Sequence, residues 1–247
     1  MKIVVKILLM VLFLGYLIFA VTTLHKPTEE KVCSGLNIDI EDNAIYNFVD
    51  SNYIQSIIDK KKIVLKGEKL CNINLQEIEK SLQENPYIYS AHCYHTARGV
   101  LSINVVPQKP VVMVMPENGE HYYLDKEGAT MPLDKFNLKL CVATGNITYD
   151  FSVNKILPLA NFIYNDPFWS KQIEQIHVHS EENITLHPRV GEHTIILGDI
   201  SDFEEKLNRM FLFYEKGLPQ TGWNKYESIN LAYKGQVVCK KRNNKKQ

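Results

Sequence analysis

The stretch NPYIYSAHCYHTARGVLSINVV, residues 85–106, decides the fold of the first half of the chain. Asn85-Pro86 ends any helix that precedes it, because the proline ring pushes the residue before it out of the helical region. Residues 87–95 and 100–106 are aromatic and β-branched runs joined across Arg98-Gly99, with Leu101, Ile103 and Val105 on one face. They read as two neighbouring strands. Upstream, Asn74 followed by Glu77 resembles a capping box with Asn in place of Ser or Thr. Leu75, Ile78 and Leu82 behind it make one apolar stripe, so a helix is expected there. Further back, Ser51 stands as an N-cap before Ile54, Ile57 and Ile58, and residues 36–40 alternate apolar and polar as a strand does. The order is β-α-α-β-β. Two helices over one face of a three-stranded sheet satisfy the two-layer rule.

The second half reads as a mostly antiparallel sheet with two helices. Residues 111–115 and 121–124 flank Glu117-Asn118-Gly119-Glu120, and Asn-Gly is the strongest short hairpin signal because both residues tolerate positive φ. Residues 139–142, 173–179, 183–188, 193–197 and 227–239 read as further strands. One helix is expected around residues 155–164. A second is opened by the capping box Ser201-x-x-Glu204, with Leu207, Met210, Phe211 and Tyr214 inward and Gly217 after it. The fold class is α+β.

Outward from these two domains the chain changes character. Residues 7–21 are uncharged and almost wholly apolar, extended by Thr22, Thr23 and Leu24, and Lys6 can snorkel. A transmembrane helix over 7–24 is expected, since a bilayer core needs ~20 residues. A cleaved signal peptide would want a small residue where Ile18 stands, two before Ala20. Residues 1–6 then form a short cytoplasmic tail, 25–35 a tether, 36–107 the first domain, 108–239 the β domain, and 240–247 a basic disordered tail. Lys2 and Lys6 on one flank balance Lys26 and Lys31 on the other, so charge alone does not orient the span.

The 28 basic and 28 acidic residues cancel overall, but residues 1–26 hold three Lys and residues 240–247 five Lys or Arg, with no acid in either. Residues 27–239 therefore carry 20 basic against 28 acidic groups, a net −8, which argues against nucleic acid as a partner. The five cysteines, Cys33, Cys71, Cys93, Cys141 and Cys239, are scattered with no C-x-x-C and read as solitary thiols.

No catalytic, cofactor or metal residues are assigned. His177-x-His179 with His187 and His193 is the grouping closest to a zinc site, but no H-E-x-x-H spacing accompanies it. Nucleophile elbows and phosphate-binding glycine loops are absent. Glu204-Glu205 opens a helix, where the macrodipole accounts for it. The sequons at Asn146 and Asn183 would matter only in a eukaryotic secretory pathway.

With catalysis unsupported, attention moves to sheet edges, whose unpaired N–H and C=O groups can accept a partner strand. The last expected strand alternates Ile229, Leu231 and Tyr233, ends the folded part and contains no proline. Ser228, Ile229, Asn230, Leu231, Ala232, Tyr233, Val237 and Val238 are its candidate binding residues.

A set of ordered motifs now carries a family resemblance. They are Asn85-Pro86-Tyr87-Ile88 with Ala91, Gly99-x-Leu101-x-Ile103-x-Val105, Gln108-Lys109-Pro110, Tyr122-Tyr123-x-Asp125-x-x-Gly128 and Met131-Pro132. Later come Phe168-Trp169 with Gln172-Ile173-Glu174-Gln175-Ile176, Pro188-Arg189-Val190-Gly191, and Ile229-Asn230-Leu231 to Val237-Val238-Cys239. With one anchor ahead of them, they resemble the bacterial cell-division family FtsQ/DivIB in its Bacteroidetes-type branch. Lys109 stands where such relatives carry Arg and cannot reproduce a bidentate contact, and Ser228 stands where others place an aromatic. The resemblance implies a POTRA domain followed by a β domain. It also implies a non-enzymatic scaffold in the cell inner membrane, single-pass type II with its bulk in the periplasm. This scaffold would bind FtsB and FtsL, use no cofactor, and help organise septal peptidoglycan synthesis. The alternatives are a POTRA-type module of a protein-translocation or assembly system and a metal-dependent periplasmic hydrolase.

Overall fold

Apolar alternation over residues 36–107 produces the order read from it. In the computed structural model the described residues are 2–24, 31–41, 48–133 and 138–243, with backbone alone for 2–5, 7, 8 and 22–24. The chain divides into two units, Met1–Pro107 and Gln108–Gln247. The first contains helix α1 (Lys2–Leu24), β1 (Gly35–Ile40), α2 (Ser51–Lys60), α3 (Leu75–Gln83), β2 (Ile88–His95) and β3 (Val100–Pro107). Its sheet has the order β1-β3-β2, with β1 parallel and β2 antiparallel to the central strand. Leu101, Ile103 and Val105 are fully buried with Ile54, Ile58, Ile78 and Leu82 from the two helices. This is the apolar face of the sheet meeting the apolar stripes of the helices.

Capping follows the sequence closely here. The Asn74 side chain accepts the Glu77 amide at 3.2 Å, as the Asn-x-x-Glu spacing predicts. At α2 the cap is Asp50, one residue before the expected Ser51; its extended backbone lets the carboxylate accept the Tyr53 amide at 2.6 Å. Among the described residues no helix is long and apolar enough to cross a membrane. The backbone helix itself spans 23 residues, and Phe13, Tyr16 and Phe19 are exposed. Residues 25–30 of the expected tether lie outside the described residues.

The second unit begins with β4 (Pro110–Pro116), β5 (Tyr122–Asp125), β6 (Thr130–Pro132) and β7 (Cys141–Gly145). A helix follows as α4 (Tyr149–Phe151), a π turn (Ser152–Ile156) and α5 (Leu157–Asn165), and then comes α6 (Trp169–Gln172). After it come β8 (Ile173–Ser180), β9 (Asn183–Pro188) and β10 (Thr194–Gly198). The last helical stretch is α7 (Phe203–Leu212), a π turn (Phe213–Gly217) and α8 (Leu218–Thr221), followed by β11 (Tyr226–Asn230) and β12 (Val238–Lys241). All nine strands form one sheet in the order β12-β11-β10-β9-β8-β7-β4-β5-β6.

Five of the eight neighbouring pairs are antiparallel, but β4–β7, β7–β8 and β10–β11 are parallel. The two helical stretches are the crossovers that parallel neighbours require, one between β7 and β8 and the other between β10 and β11. They pack Ile156, Leu159, Ile163, Trp169, Leu207, Met210 and Tyr214 onto Ala143, Ile176, Val178, Ile195 and Ile229.

Several local expectations are corrected by this packing. The first helix begins at Tyr149, capped by the Thr148 hydroxyl, well before residue 155. The expected capping box at Ser201 does not form. Ser201 donates its hydroxyl to Asp199 at 2.6 Å, and the helix starts at Phe203 after Asp202 in a left-handed conformation. Phe211 is 37% exposed, whereas Leu207, Met210 and Tyr214 turn inward. Gly217 does not stop the helix; its missing Cβ makes room for the Phe213 ring, and the chain continues to Gly222 at φ +96°. The expected strand 227–239 is two strands, β11 and β12, joined by a turn. The expected basic tail is ordered at its start, since Lys240 and Lys241 lie in β12; residues 244–247 lie outside the described residues.

Candidate functional site

The split of residues 227–239 moves the free edge of the sheet. β11 is flanked on both sides, by β10 in parallel register (Thr194 opposite Ser228, Ile196 opposite Asn230) and by β12 in antiparallel register (Ser228 opposite Lys240, Asn230 opposite Val238). The outermost strand is β12. Of the eight residues singled out in the sequence, Ser228, Ile229 and Asn230 are therefore interior to the sheet. Leu231 is fully buried and donates its amide to the Ile196 carbonyl at 2.8 Å. Ala232 packs against Gly198, which has no room for a side chain. Tyr233 is 56% exposed in the turn, Val237 is half-buried, and Val238 opens the edge strand itself.

Hydrogen-bond direction shows which backbone groups are open. The Leu231 amide faces β10, so by alternation Ser228 and Asn230 face β12, and their partners Lys240 and Val238 face back. The N–H and C=O of Cys239 and Lys241 then point away from the sheet. In the sequence the basic run from Lys240 reads as a solvated tail, which places the end of the expected strand at Cys239 and leaves Lys241 out of it.

Arginines hold the chain where it leaves β11 and where it leaves β12. Arg209 of α7 donates to the Leu231 carbonyl at 3.0 Å and to Glu205 at 2.7 Å. Arg242, just past β12, forks onto Glu192, reaching its carboxylate at 2.5 Å and its backbone carbonyl at 2.7 Å. Lys240 meets Glu227 on β11 at 3.1 Å. The edge is thus a short, basic strand with an apolar start at Val238, held past its end by Arg242 and, among the described residues, with no strand on its outer side.

The histidines divide. His177 and His179 lie side by side on β8 with ring centroids 4.3 Å apart, and the His177 Nδ1 is 2.8 Å from the Thr144 hydroxyl. Burial first, then His177 and His179, hold the His187 pKa below 6.5. His193 is instead buried, with its Nε2 2.8 Å from the Tyr214 hydroxyl. Among the described residues no group of three or more His, Cys, Asp or Glu could hold a metal ion. Cys33 and Cys141 are buried, Cys93 and Cys239 are half-buried, and Cys71 is exposed. Burial pushes the Cys141 thiol up to about 12, so it stays protonated.

An open cleft of about 480 Å³ lies at the carboxyl ends of β4 and β7, lined among others by Glu117, Asn118, Glu120, Tyr122, Asn146 and Tyr149. Tyr122 is turned away from free chemistry, since its hydroxyl lies 2.8 Å from Ser152 in the π turn and burial raises its pKa.

Two family models match the chain. Residues 31–106 match the POTRA-like domain, and residues 109–240 match the family described as FtsQ/DivIB, C-terminal related. No curated protein matches. The POTRA-like match covers the three-stranded unit, the other covers the nine-stranded sheet through to β12, and the latter spans more than half of the 247 residues. The chain belongs to the FtsQ/DivIB-related family, with a POTRA-like domain ahead of its family domain.

Proposed function

We propose that this protein is a membrane-anchored, non-enzymatic scaffold of bacterial cell division that takes up a partner strand along β12. The observation that carries the reading is the outer side of β12, where Cys239 and Lys241 present backbone donors and acceptors with no neighbouring strand among the described residues. Strand addition uses those groups for affinity and the side chains around them for choice of partner. FtsB and FtsL are the partners that family membership suggests, and septal peptidoglycan synthesis is the process that the scaffold would help organise. α1 is the proposed single anchor on the strength of the sequence, in which residues 7–24 are uncharged and almost wholly apolar and approach the ~20 residues that a hydrocarbon core needs. The POTRA-like and family domains then lie on the periplasmic side of the inner membrane.

The test places proline where it removes an outward donor and leaves the β11 pairing intact. Cys239→Pro is expected to keep the fold, since proline is tolerated on an edge whose N–H faces outward, and to abolish co-purification with FtsB and FtsL. A folded Cys239→Pro protein that still captures both at the wild-type level overturns the strand-addition reading. Depletion in the source bacterium is expected to give filamentous, undivided cells; normal septation overturns the division role.

A further inference from the structure

The sheet of the POTRA-like unit also has an edge, β2, and its side chains treat it very differently from β12. The Thr96 amide donates to the Val100 carbonyl of β3. Alternation from there turns Tyr94, His92 and Ser90 toward β3, and leaves the N–H and C=O of Ala91 and Cys93 pointing out of the sheet. Both residues are met by α3. Glu79 Oε1 accepts the Cys93 amide at 2.7 Å, and Gln83 Nε2 donates to the Ala91 carbonyl at 3.2 Å.

The spacing explains why one helix can do this. Glu79 and Gln83 are four residues apart on one helix face, about 6 Å along the axis. Ala91 and Cys93 are two apart on a strand, about 6.7 Å. In a parallel ladder, one residue of a neighbouring strand donates to one carbonyl and accepts from the amide two residues on. Gln83 and Glu79 together supply that same donor and acceptor on either side of His92. Burial first and the Glu79 carboxylate second push the Cys93 thiol up to about 12, which fits a carboxylate seated at this edge.

We infer that Glu79 and Gln83 act as an intramolecular stopper that closes β2 to strand addition, so that the POTRA-like sheet does not pair edge to edge with a second copy of the chain. Among the described residues no side chain occupies the outward groups of Cys239 or Lys241 on β12 in this way. The closure stands on the α3–β2 contacts alone and does not depend on what binds β12.

The experiment compares the full-length chain, solubilised in detergent, with its Glu79→Ala/Gln83→Ala and Glu79→Gln variants. Hydrogen exchange at the Cys93 amide and sedimentation over a hundredfold concentration range are read together. In the double variant at the lowest concentration, where the chain is monomeric, the Cys93 amide is expected to exchange about tenfold faster or more, the factor set by losing one charge-assisted hydrogen bond; as the concentration rises the protein is expected to self-associate and the amide to regain protection. Glu79→Gln keeps a neutral acceptor oxygen and is expected to sediment as wild type, with Cys93 exchange between that of wild type and that of the double variant. Unchanged Cys93 exchange at the lowest concentration overturns the inference, as does a folded double variant that sediments as wild type. So does Glu79→Gln behaving like the double variant, since that would trace the effect to charge. Loss of FtsB and FtsL binding on Cys239→Pro is a separate outcome and leaves this one unaffected.

Discussion

Arg209 shows how much of the edge rests on single side chains. Its side chain is 16% exposed, and its guanidinium donates to the carbonyl of buried Leu231, where the chain leaves β11 for the turn into β12. Arg209→Ala is expected to cost about 1–3 kcal/mol, because a carbonyl is left without its charged donor, and the shift of a urea unfolding midpoint measures it. Lys at this position is not expected to restore the loss, since one ammonium cannot serve Glu205 and Leu231 in the fork geometry. A second residue-scale prediction concerns acid. Burial first and Arg242 second hold His193 below 6.5, so the unfolded chain takes up a proton that the folded one resists. The stability that neutral His193 contributes is complete above pH 6.5 and is lost as the pH falls below it toward the folded value. The melting temperature is expected to drop between pH 7.5 and 5.5, and less so in His193→Gln, which keeps a donor toward Tyr214. An equal drop in both would place the sensitivity elsewhere, His187 being the other histidine held low.

Elements were legible in proportion to how local their causes are. α3 is fully specified by its own residues, with Asn74 at the cap, Ile78 and Leu82 on the buried stripe and Asn85-Pro86 beyond its end. β8 and β9 run over 173–180 and 183–188, close to the alternation read from them. The second half of the unit was harder to read. Residues 227–239 alternate apolar side chains on both sides of a turn, and nothing local separates two strands from one. The break is imposed where Leu231 bonds to Ile196 and Ala232 meets Gly198, contacts more than 30 residues away in sequence. A different long-range contact constrains the end of β7. There Gly145 adopts φ +102°, and a Cβ would be driven into the Val178 carbonyl of β8. Gly145→Ala is expected to destabilise the unit by about 2–4 kcal/mol through strain and a broken strand end, which thermal unfolding checks.

At the scale of the whole molecule, the proposed arrangement is an anchor, a POTRA-like unit and a family domain in chain order. Removal of residues 2–24 is expected to release the protein from membranes into the soluble fraction, whereas the full chain stays with membranes through alkaline carbonate extraction. Release of the full chain by carbonate would count against a spanning α1. The sequence by itself determined the β-α-α-β-β unit, the apolar segment ahead of it and the absence of catalytic motifs. Each of these is written in neighbouring residues as periodicity, caps or composition. Only the tertiary structure decided that the two helical stretches of the second unit are crossovers between parallel strands. It alone also decided that β11 is interior, and that the open backbone belongs to Cys239 and Lys241 and not to the residues before them. A strand becomes an edge because no other strand lies beside it, and that depends on the packing of all nine strands at once. For the same reason the stopper on β2 could not be read from Glu79 and Gln83, whose spacing on a helix gains meaning only when β2 lies within reach.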